Sequence, residues 1–577
     1  MSALADLDTV RAGLMRAFPQ DYPVGGTAAM PLQQLFAGRV RGGLHVLLAA
    51  VGFVLLIACA NVANLLLARA MNRTREMAVR AALGAGRGRL IRQMLTESAV
   101  LSLAGGALGV ALAWLALPAI ASLAPVNIPG LSRLEIDRTV LAFAGALSLV
   151  TGLLFGLIPA VRTTSARLRA GLATDSRGSV GSGSHKARQL LVVVDLALAL
   201  VLLTGAGLML RSLARLMRVD PGFKTERVLT LQFSLVGEAY REDAAVVQFI
   251  DRVIEKVQAL PGVEAAAAAG RIPMGGNGDR WGFHIDGLMR SNPAQDPSAE
   301  RYSVTPDYFR VMQIPLERGR LFTTADSATS TPVLMVSEAA ARTLFNGQDP
   351  IGRRVRVGDP SNGPWRTIVG VVGDVHHADL TIPATPQMYL PQSQMTDSFL
   401  VLTIKASTRA AAALVVSIRA ALRELDPSVP IYEVATLQDL LARSFAQRRF
   451  VMTLLGGFAA LALLLASIGL YGVVSYTVAQ RTREVGVRMA LGAARSDIVR
   501  LVLGSGAWTV AGGLAAGLAC AVLLTQFLQT LLYDVSAVDP PTLAAAVLVL
   551  TAIACVAHWI PLRRALRVDP AIALRED

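Results

Sequence analysis

Seven apolar runs, each long enough to cross a membrane, constrain this chain more than any other feature. A helix needs roughly 20 apolar residues to span the hydrocarbon core, and such runs lie near 45–68, 96–123, 139–160, 190–210, 451–478, 504–531 and 542–561. Hydrocarbon offers backbone amides no partner, so each run is expected to be a helix that satisfies its own hydrogen bonds. The 577 residues are 53% hydrophobic with a mean hydropathy of +0.50, too apolar for an ordinary water-soluble protein of this length.

The net charge of +14 is not spread evenly. Residues 69–94 hold seven Arg and one acid, 162–189 six Lys or Arg and one acid, 480–503 five against two, and 563–577 four against three. These four stretches carry the whole excess, and the positive-inside rule places them in the cytoplasm. The alternate short connections, 124–138 and 532–541, are neutral or acidic, as outer loops are. Topology therefore accounts for the basic charge, and no nucleic-acid partner is expected. Alternation puts the C-terminus in the cytoplasm and 211–450 outside it.

The chain also repeats itself. Arg73 to Arg92 recurs as Arg481 to Arg500 at an offset of 408 residues, with twelve of twenty positions identical, which marks two copies of one membrane module. Charges at Arg73, Arg75, Glu76 and Arg80, and at Arg481, Arg483, Glu484 and Arg488, cannot face lipid. Val79 and Leu83, with Val487 and Leu491, give each copy one apolar side, and Gly84 and Gly492 end or bend it. An amphipathic helix presented twice suits a docking surface for a two-fold partner; anchoring of the loop at the headgroups is the plainer alternative. Arg11, Ala12, Leu14 and Pro19 align at the same offset with Arg419, Ala420, Leu422 and Pro427. Residues 1–44 are therefore expected to be the tail of a first outer domain, left by a late gene start or a natural fragment.

Small and polar residues mark helix contacts. Gly105 and Gly109 correspond to Gly513 and Gly517, each a small-xxx-small pair. Asn61 and Asn64 correspond to Gly469 and Gly472, so that face is polar or small in both copies and is expected to lie against another helix. Asp195, just inside its span, is expected to pair with Arg188 or snorkel, with a proton relay as the sharper alternative.

Residues 211–450 alternate strand and helix signals. Val228 to Leu235 is strand-like. The helix over 242–260 places Val246, Phe249, Ile250, Val253, Val257 and Leu260 on one face and stops at Pro261-Gly262. A strand at 263–269 completes a βαβ-type unit. Further strands are expected at 332–336, 353–357, 367–372 and 399–405, with helices at 338–345, capped by Ser337, and 409–425. Two mixed α/β lobes with a break between 275 and 330 follow. The Gly/Ser-rich stretch within 161–189 reads as a cytoplasmic linker.

Chemistry-bearing motifs are sparse. There is no GxxxxGK[ST] phosphate loop, Gly-x-Ser-x-Gly elbow or HExxH pair. Cys59, Cys520 and Cys555 all fall within spans. His376 and His377 are adjacent, and neighbours on a strand point to opposite faces. No catalytic, cofactor or metal residues are expected.

With these residues in view, the chain resembles the MacB/FtsX superfamily of ABC-transporter permeases, and more specifically the duplicated, acidobacterial-type permeases. The resemblance rests on the two RTRE-x-x-VR-x-ALGA blocks, Cys59-Ala-Asn-Val-Ala-Asn-Leu-Leu-Leu-Ala-Arg69, Asp195 with Thr204-Gly-Ala-Gly-Leu, and Leu532-Tyr-Asp-Val-Ser-Ala-Val-Asp-Pro540. Ile158-Pro159, Ile560-Pro561 and Asp569-Pro-Ala-Ile-Ala-Leu-Arg575 complete it. It implies a polytopic α-helical membrane protein of about seven transmembrane helices in two homologous modules. One mixed α/β extracytoplasmic domain, with porter-like and sabre-like lobes, would accompany them.

The implied boundaries are a remnant outer domain at 1–44, a first FtsX-like module at 45–160, the linker at 161–189 and a lone helix at 190–210. A MacB-like domain at 211–450, a second module at 451–562 and a tail at 563–577 follow. The first module would lack its first span and most of its outer domain. The resemblance implies a non-enzymatic permease in the bacterial cytoplasmic membrane. Its two Arg-rich blocks would dock a separate cytoplasmic ATPase dimer, with a periplasmic adaptor and outer-membrane channel as further partners, for export of an antibiotic, peptide, lipid or lipoprotein. A signalling mechanotransmitter that controls a cell-wall hydrolase or senses a peptide is the alternative, and an ion-coupled carrier built on Asp195 the third.

Overall fold

The computed structural model describes residues 2–17, 29, 32–72, 87–123, 135–153, 182–276, 278–288, 297–359, 363–407, 411–480, 491 and 494–565. The chain divides into two compact units, one formed by 31–215 with 446–577 and the other by 1–30 with 216–445.

The first unit is helical. Its described elements are α2 (Leu32–Asn72), α3 (Arg87–Leu123), α4 (Arg138–Leu153), α5 (Ser182–Leu216), α11 (Ala446–Gln480), α12 (Arg495–Leu524) and α13 (Pro540–Ala565). Among the described residues six helices are long and apolar enough to cross a membrane. The run at 139–160 is seen as a shorter apolar helix to Leu153, and 154–160 lie outside the described residues.

Helices run past the apolar boundaries because backbone hydrogen bonding continues wherever good helix formers follow. Residues 32–44 belong to α2, 87–94 open α3, and 182–189 open α5. The run at 504–531 behaves oppositely: α12 stops at Leu524 and Thr525–Leu531 tighten into a 3-10 helix.

The helical core is built from α2, α5, α11 and α13. Ile57, Leu196, Leu200, Leu455, Ala462, Ala466 and Leu550 are almost fully buried in one cluster. Its share of Ala is what close helix approach requires where burial from lipid gains little.

The second unit contains α1 (Ser2–Ala17) and an α/β domain. In chain order the latter runs β1 (Val228–Ser234), α6 (Asp243–Gln258), β2 (Val263–Ala269), β3 (Arg280–Ile285), β4 (Ser298–Val304), α7 (Tyr308–Met312), β5 (Leu316–Gly319), β6 (Val333–Ser337) and α8 (Glu338–Leu344). It continues with β7 (Arg354–Val357), β8 (Arg366–Val372), β9 (Gln387–Pro391), β10 (Phe399–Ala406), α9 (Val415–Leu425), β11 (Ile431–Thr436) and α10 (Leu437–Ser444). The strands form one hydrogen-bonded path, β11-β1-β10-β2-β4-β3-β7-β8-β6-β9, with β5 on β8. β10 lies antiparallel between β1 and β2, so the β1-α6-β2 unit is a split βαβ.

Two hydrophobic clusters sit along this path. The first packs Leu229, Leu231 and Phe233 of β1 and Leu400, Leu402 and Ile404 of β10 against Phe249, Ile250 and Val253 of α6 and Ile418 and Leu422 of α9. The second joins Phe283, Leu334, Val336, Ile368, Val371 and Met388 with Ala340 of α8 and Phe345. Each fully buried large side chain contributes about 1.5–3 kcal/mol. Between the clusters β2 and β4 share a single aligned pair, Ala269 with Val304. The expected details hold locally: the Ser337 hydroxyl accepts from Ala340 N at 3.2 Å, and Asn346 and Gly347 end α8 with positive φ.

Candidate functional site

The helical unit holds a knot of polar side chains where α2, α5 and α11 meet. Asn61 Nδ2 donates to the backbone oxygen of Leu465 at 2.9 Å, so its amide oxygen is turned the other way. That oxygen occupies the space of a missing side chain: a Cβ built on Gly469 would overlap Asn61 Oδ1 and stand 3.2 Å from Asp195 Oδ2. Asn64 is buried one turn along α2. It lines a cavity of about 60 Å³ with Asn61, Arg188, Gly469, Gly472 and Tyr476. The structure thus gathers Asn61, Asn64, Gly469 and Gly472 around one cavity; the repeat alignment puts them at equivalent positions but does not predict that they meet.

Asp195 departs from expectation. It is 1% exposed, and neither carboxylate oxygen has a hydrogen-bond partner. The expected pairing with Arg188 does not form; Arg188 Cζ lies instead 4.2 Å from the centroid of the Tyr476 ring on α11.

At its opposite end α5 is tied to the connection before α13. Arg211 Nη1 lies 2.5 Å from Asp539 Oδ2, Arg215 Nη1 lies 3.0 Å from Asp534 Oδ2, and Tyr533 N donates to Ser212 Oγ at 2.8 Å. Asp539 also accepts from the Thr542 backbone N–H at 3.1 Å, capping α13 just before Pro540. Burial pushes its carboxyl up, but the Thr542 hydrogen bonds and the Arg211 charge outweigh that and hold it below the ordinary carboxylate range. Sequence reasoning singled out Leu532 to Pro540 only as a motif. Residues 328 positions apart give no pairing signal in one sequence.

The glycine pairs diverge. A Cβ on Gly513 would stand 2.8 Å from Leu196 Cβ, and one on Gly517 would stand 2.9 Å from Leu200 Cδ2 and 3.0 Å from Ala197 Cα. These two carry a close crossing of α12 over α5. Gly105 and Gly109 have nothing described within 4 Å, so the expected packing role is not met there among the described residues. Close approach in the first copy falls instead at Gly106, facing Ser148, and at Gly152, facing Ser102. Of the Arg-rich blocks, Leu491 is in a turn and 82% exposed. Arg73, Arg75, Glu76, Val79, Arg80, Leu83, Gly84, Arg481, Arg483, Glu484, Val487, Arg488 and Gly492 lie outside the described residues.

The α/β domain offers a groove of about 1040 Å³ between the start of α6, the 323–329 segment and the residues after β9, lined by Asp243, Gln248, Asp251, Thr305, Asp326 and Gln392 among others. Asp326 is gripped by Arg320 through two bonds of 2.8 Å and by Thr323 N at 2.9 Å. Elsewhere His377 touches the Tyr302 hydroxyl and lies 3.9 Å from Glu300. Among the described residues no three His, Cys, Asp or Glu side chains gather as a metal site.

Comparison with known proteins decides the family. Residues 196–421 match the MacB-like periplasmic core domain, and residues 48–168 and 456–570 match the FtsX-like permease C-terminal domain. The chain carries the domains of the MacB/FtsX-like ABC transporter permeases. It is 25% identical over 335 residues to the pyoverdine export ATP-binding/permease protein PvdT of Pseudomonas syringae pv. syringae, covering 55% of this chain and 48% of that protein. It is 25% identical over 297 residues to the uncharacterized ABC transporter permease YknZ of Bacillus subtilis, covering 49% and 71%. With the macrolide export ATP-binding/permease protein MacB of Rhodospirillum rubrum it shares 28% over 289 residues, covering 47% and 42%.

The chain thus spans about half the length of PvdT. Among solved structures, the periplasmic region of MacB from Actinobacillus actinomycetemcomitans matches at 17% identity over 39% of this chain and 95% of that one, with a TM-score of 0.27. The matched domains and the six long apolar helices among the described residues make this a multi-pass membrane protein of the permease type. Several relatives are ATP-binding/permease proteins by name, whereas this sequence has no GxxxxGK[ST] loop.

Proposed function

We infer that this permease is the membrane subunit of an exporter driven by a separate cytoplasmic ATPase dimer. The observation that carries this reading is the insertion of the MacB-like domain between α5 and α11. Any shift of those helices reaches the domain through the chain itself. In this reading Arg73 to Arg92 and Arg481 to Arg500 are the two coupling segments, the C-terminus is cytoplasmic, and 211–450 lie outside. ATP-driven closure of the dimer would rearrange the spans and so move the outer domain, with its porter-like and sabre-like lobes. An adaptor and an outer-membrane channel are the natural further partners. The export direction is supported by the names of PvdT and MacB, and scarce charge within the spans fits force transmission better than a polar path through the membrane.

The test is co-purification with the cognate ATPase and permease-stimulated ATP hydrolysis in proteoliposomes. Arg75→Glu combined with Arg483→Glu is expected to abolish both; full retention overturns the docking role. A second reading, the ion-coupled carrier, is favoured by the buried Asp195. It predicts the reverse pattern: transport lost in Asp195→Asn and untouched in the double Arg variant.

A further inference from the structure

An isolated carboxylate does not survive in hydrocarbon without a compensating charge or donors. Asp195 has neither: both oxygens are buried and unpartnered, and the residue is 1% exposed. The group that converges with it on Gly469 makes matters worse, since it is another acceptor. Asn61 cannot turn its amide to help, because its Nδ2 is committed to the Leu465 carbonyl at 2.9 Å. A flip would set oxygen against oxygen. Two acceptors, Asp195 Oδ2 and Asn61 Oδ1, therefore approach the same point on α11, and Asn61 Oδ1 too lacks a donor.

We propose that Asp195 is an intramembrane proton-binding site, its carboxyl carrying a proton that it donates to Asn61 Oδ1. One proton removes the charge and satisfies both acceptors at once. A metal cation fits less well: the helices come so close that a Cβ on Gly469 would overlap Asn61 Oδ1, which leaves no room for the oxygen shell a hard cation needs. Among the described residues no charged group pairs with Asp195. On its own helix Arg188 is engaged over the Tyr476 ring of α11; α2 approaches it with Asn61, and α12 meets α5 here through Gly513. The cavity of about 60 Å³ beside Asn61 and Asn64 has a mainly apolar wall but is large enough for a water held by those two amides and Arg188. A water there would be the route by which the proton exchanges. The inference does not depend on the export reading, because it concerns occupancy of one side chain in the isolated permease.

The experiment is infrared spectroscopy of the purified full chain in lipid nanodiscs at neutral pH, in H2O and D2O. The wild type is expected to show a protonated-carboxyl C=O band that shifts in D2O and disappears in Asp195→Asn. Asn61→Leu removes the acceptor, so the band should persist and move to higher frequency; this arm stands even if Asp195→Asn fails to fold. Coincident wild-type and Asp195→Asn spectra in that region, no shift in Asn61→Leu, or a band that is abolished by adding sodium chloride in place of choline chloride would each overturn the proposal.

Discussion

Asn61 presses its amide oxygen into the space left by Gly469, its own counterpart in the second repeat. Two positions related by a duplication can touch each other only near the axis that relates their helices, as self-complementary contacts do in two-fold dimers. The polar knot of α2, α5 and α11 thus joins equivalent positions of the two copies, and its asymmetry, Asn on one side and Gly on the other, gives the amide oxygen the room it occupies.

This makes a coupled pair. Asn61→Ala removes the bond to Leu465 and is expected to destabilise by about 1 kcal/mol. Gly469→Ala forces its methyl onto Asn61 Oδ1 and should destabilise by about 1–3 kcal/mol. In the double variant the new methyl occupies the vacated space, so the effects should fall short of additive by on the order of 1 kcal/mol. Denaturation of the four proteins in mixed micelles measures the cycle; strict additivity would contradict the contact.

The glycine pairs supply a contrast between copies. Gly513→Ala and Gly517→Ala each drive a methyl to within 3.0 Å of α5 atoms and are expected to destabilise by about 1–3 kcal/mol. Gly105→Ala and Gly109→Ala meet nothing described within 4 Å and should change stability by no more than about 0.5 kcal/mol. Melting temperatures of the four variants, compared with wild type, decide this.

Local order was largely legible in the sequence, and long-range pairing was not. The apolar runs, the strand-helix-strand order over 228–269 and the Ser337 cap follow from periodicity and composition alone; the insertion of β10 between β1 and β2 does not. β4 escaped notice because its Glu300 and Arg301 do not look like strand interior. Both are buried, and Arg301 is neutralised by residues distant in sequence, Asp279 and Asp397 lying 2.8 and 2.7 Å from its Nη2. β9 ends on Pro391, which argues against a strand until its neighbours are known. At the polar knot the repeat alignment showed Asn61 and Asn64 to be equivalent to Gly469 and Gly472, but it could not show that they meet or that Asp195 lacks a hydrogen-bond partner. That depends on where Arg188 points, which is over the Tyr476 ring.

The tie between α5 and α13 can be separated into cap and ion pair. Asp539→Asn keeps an oxygen for the Thr542 N–H and loses only the charge opposite Arg211. Asp539→Ala loses both. The alanine variant is expected to be the less stable by about 1 kcal/mol, the usual worth of a helix N-cap. Arg211→Ala should match Asp539→Asn, and combining those two should add little. Thermal unfolding followed by circular dichroism provides the comparison.

The groove in the α/β domain carries an acid-sensitive grip. The Arg320 guanidinium, opposed by partial burial and helped by the Thr323 N–H, holds the Asp326 carboxyl below its ordinary range. A carboxyl whose pKa is lower in the folded than in the unfolded chain binds fewer protons when folded. Its contribution is therefore complete above the ordinary carboxylate range and is lost as pH falls through the lowered value. Charge-assisted bonds of this kind contribute roughly 1.5–3 kcal/mol, and the half-exposed Arg320 places this one at about 1–2 kcal/mol after screening. Asp326→Asn should accordingly lower the melting temperature at pH 7 and leave it close to wild type once both are acidified below the titration of Asp326. A constant gap between the two proteins across that range would show that the carboxylate charge is not what holds the 320–326 segment.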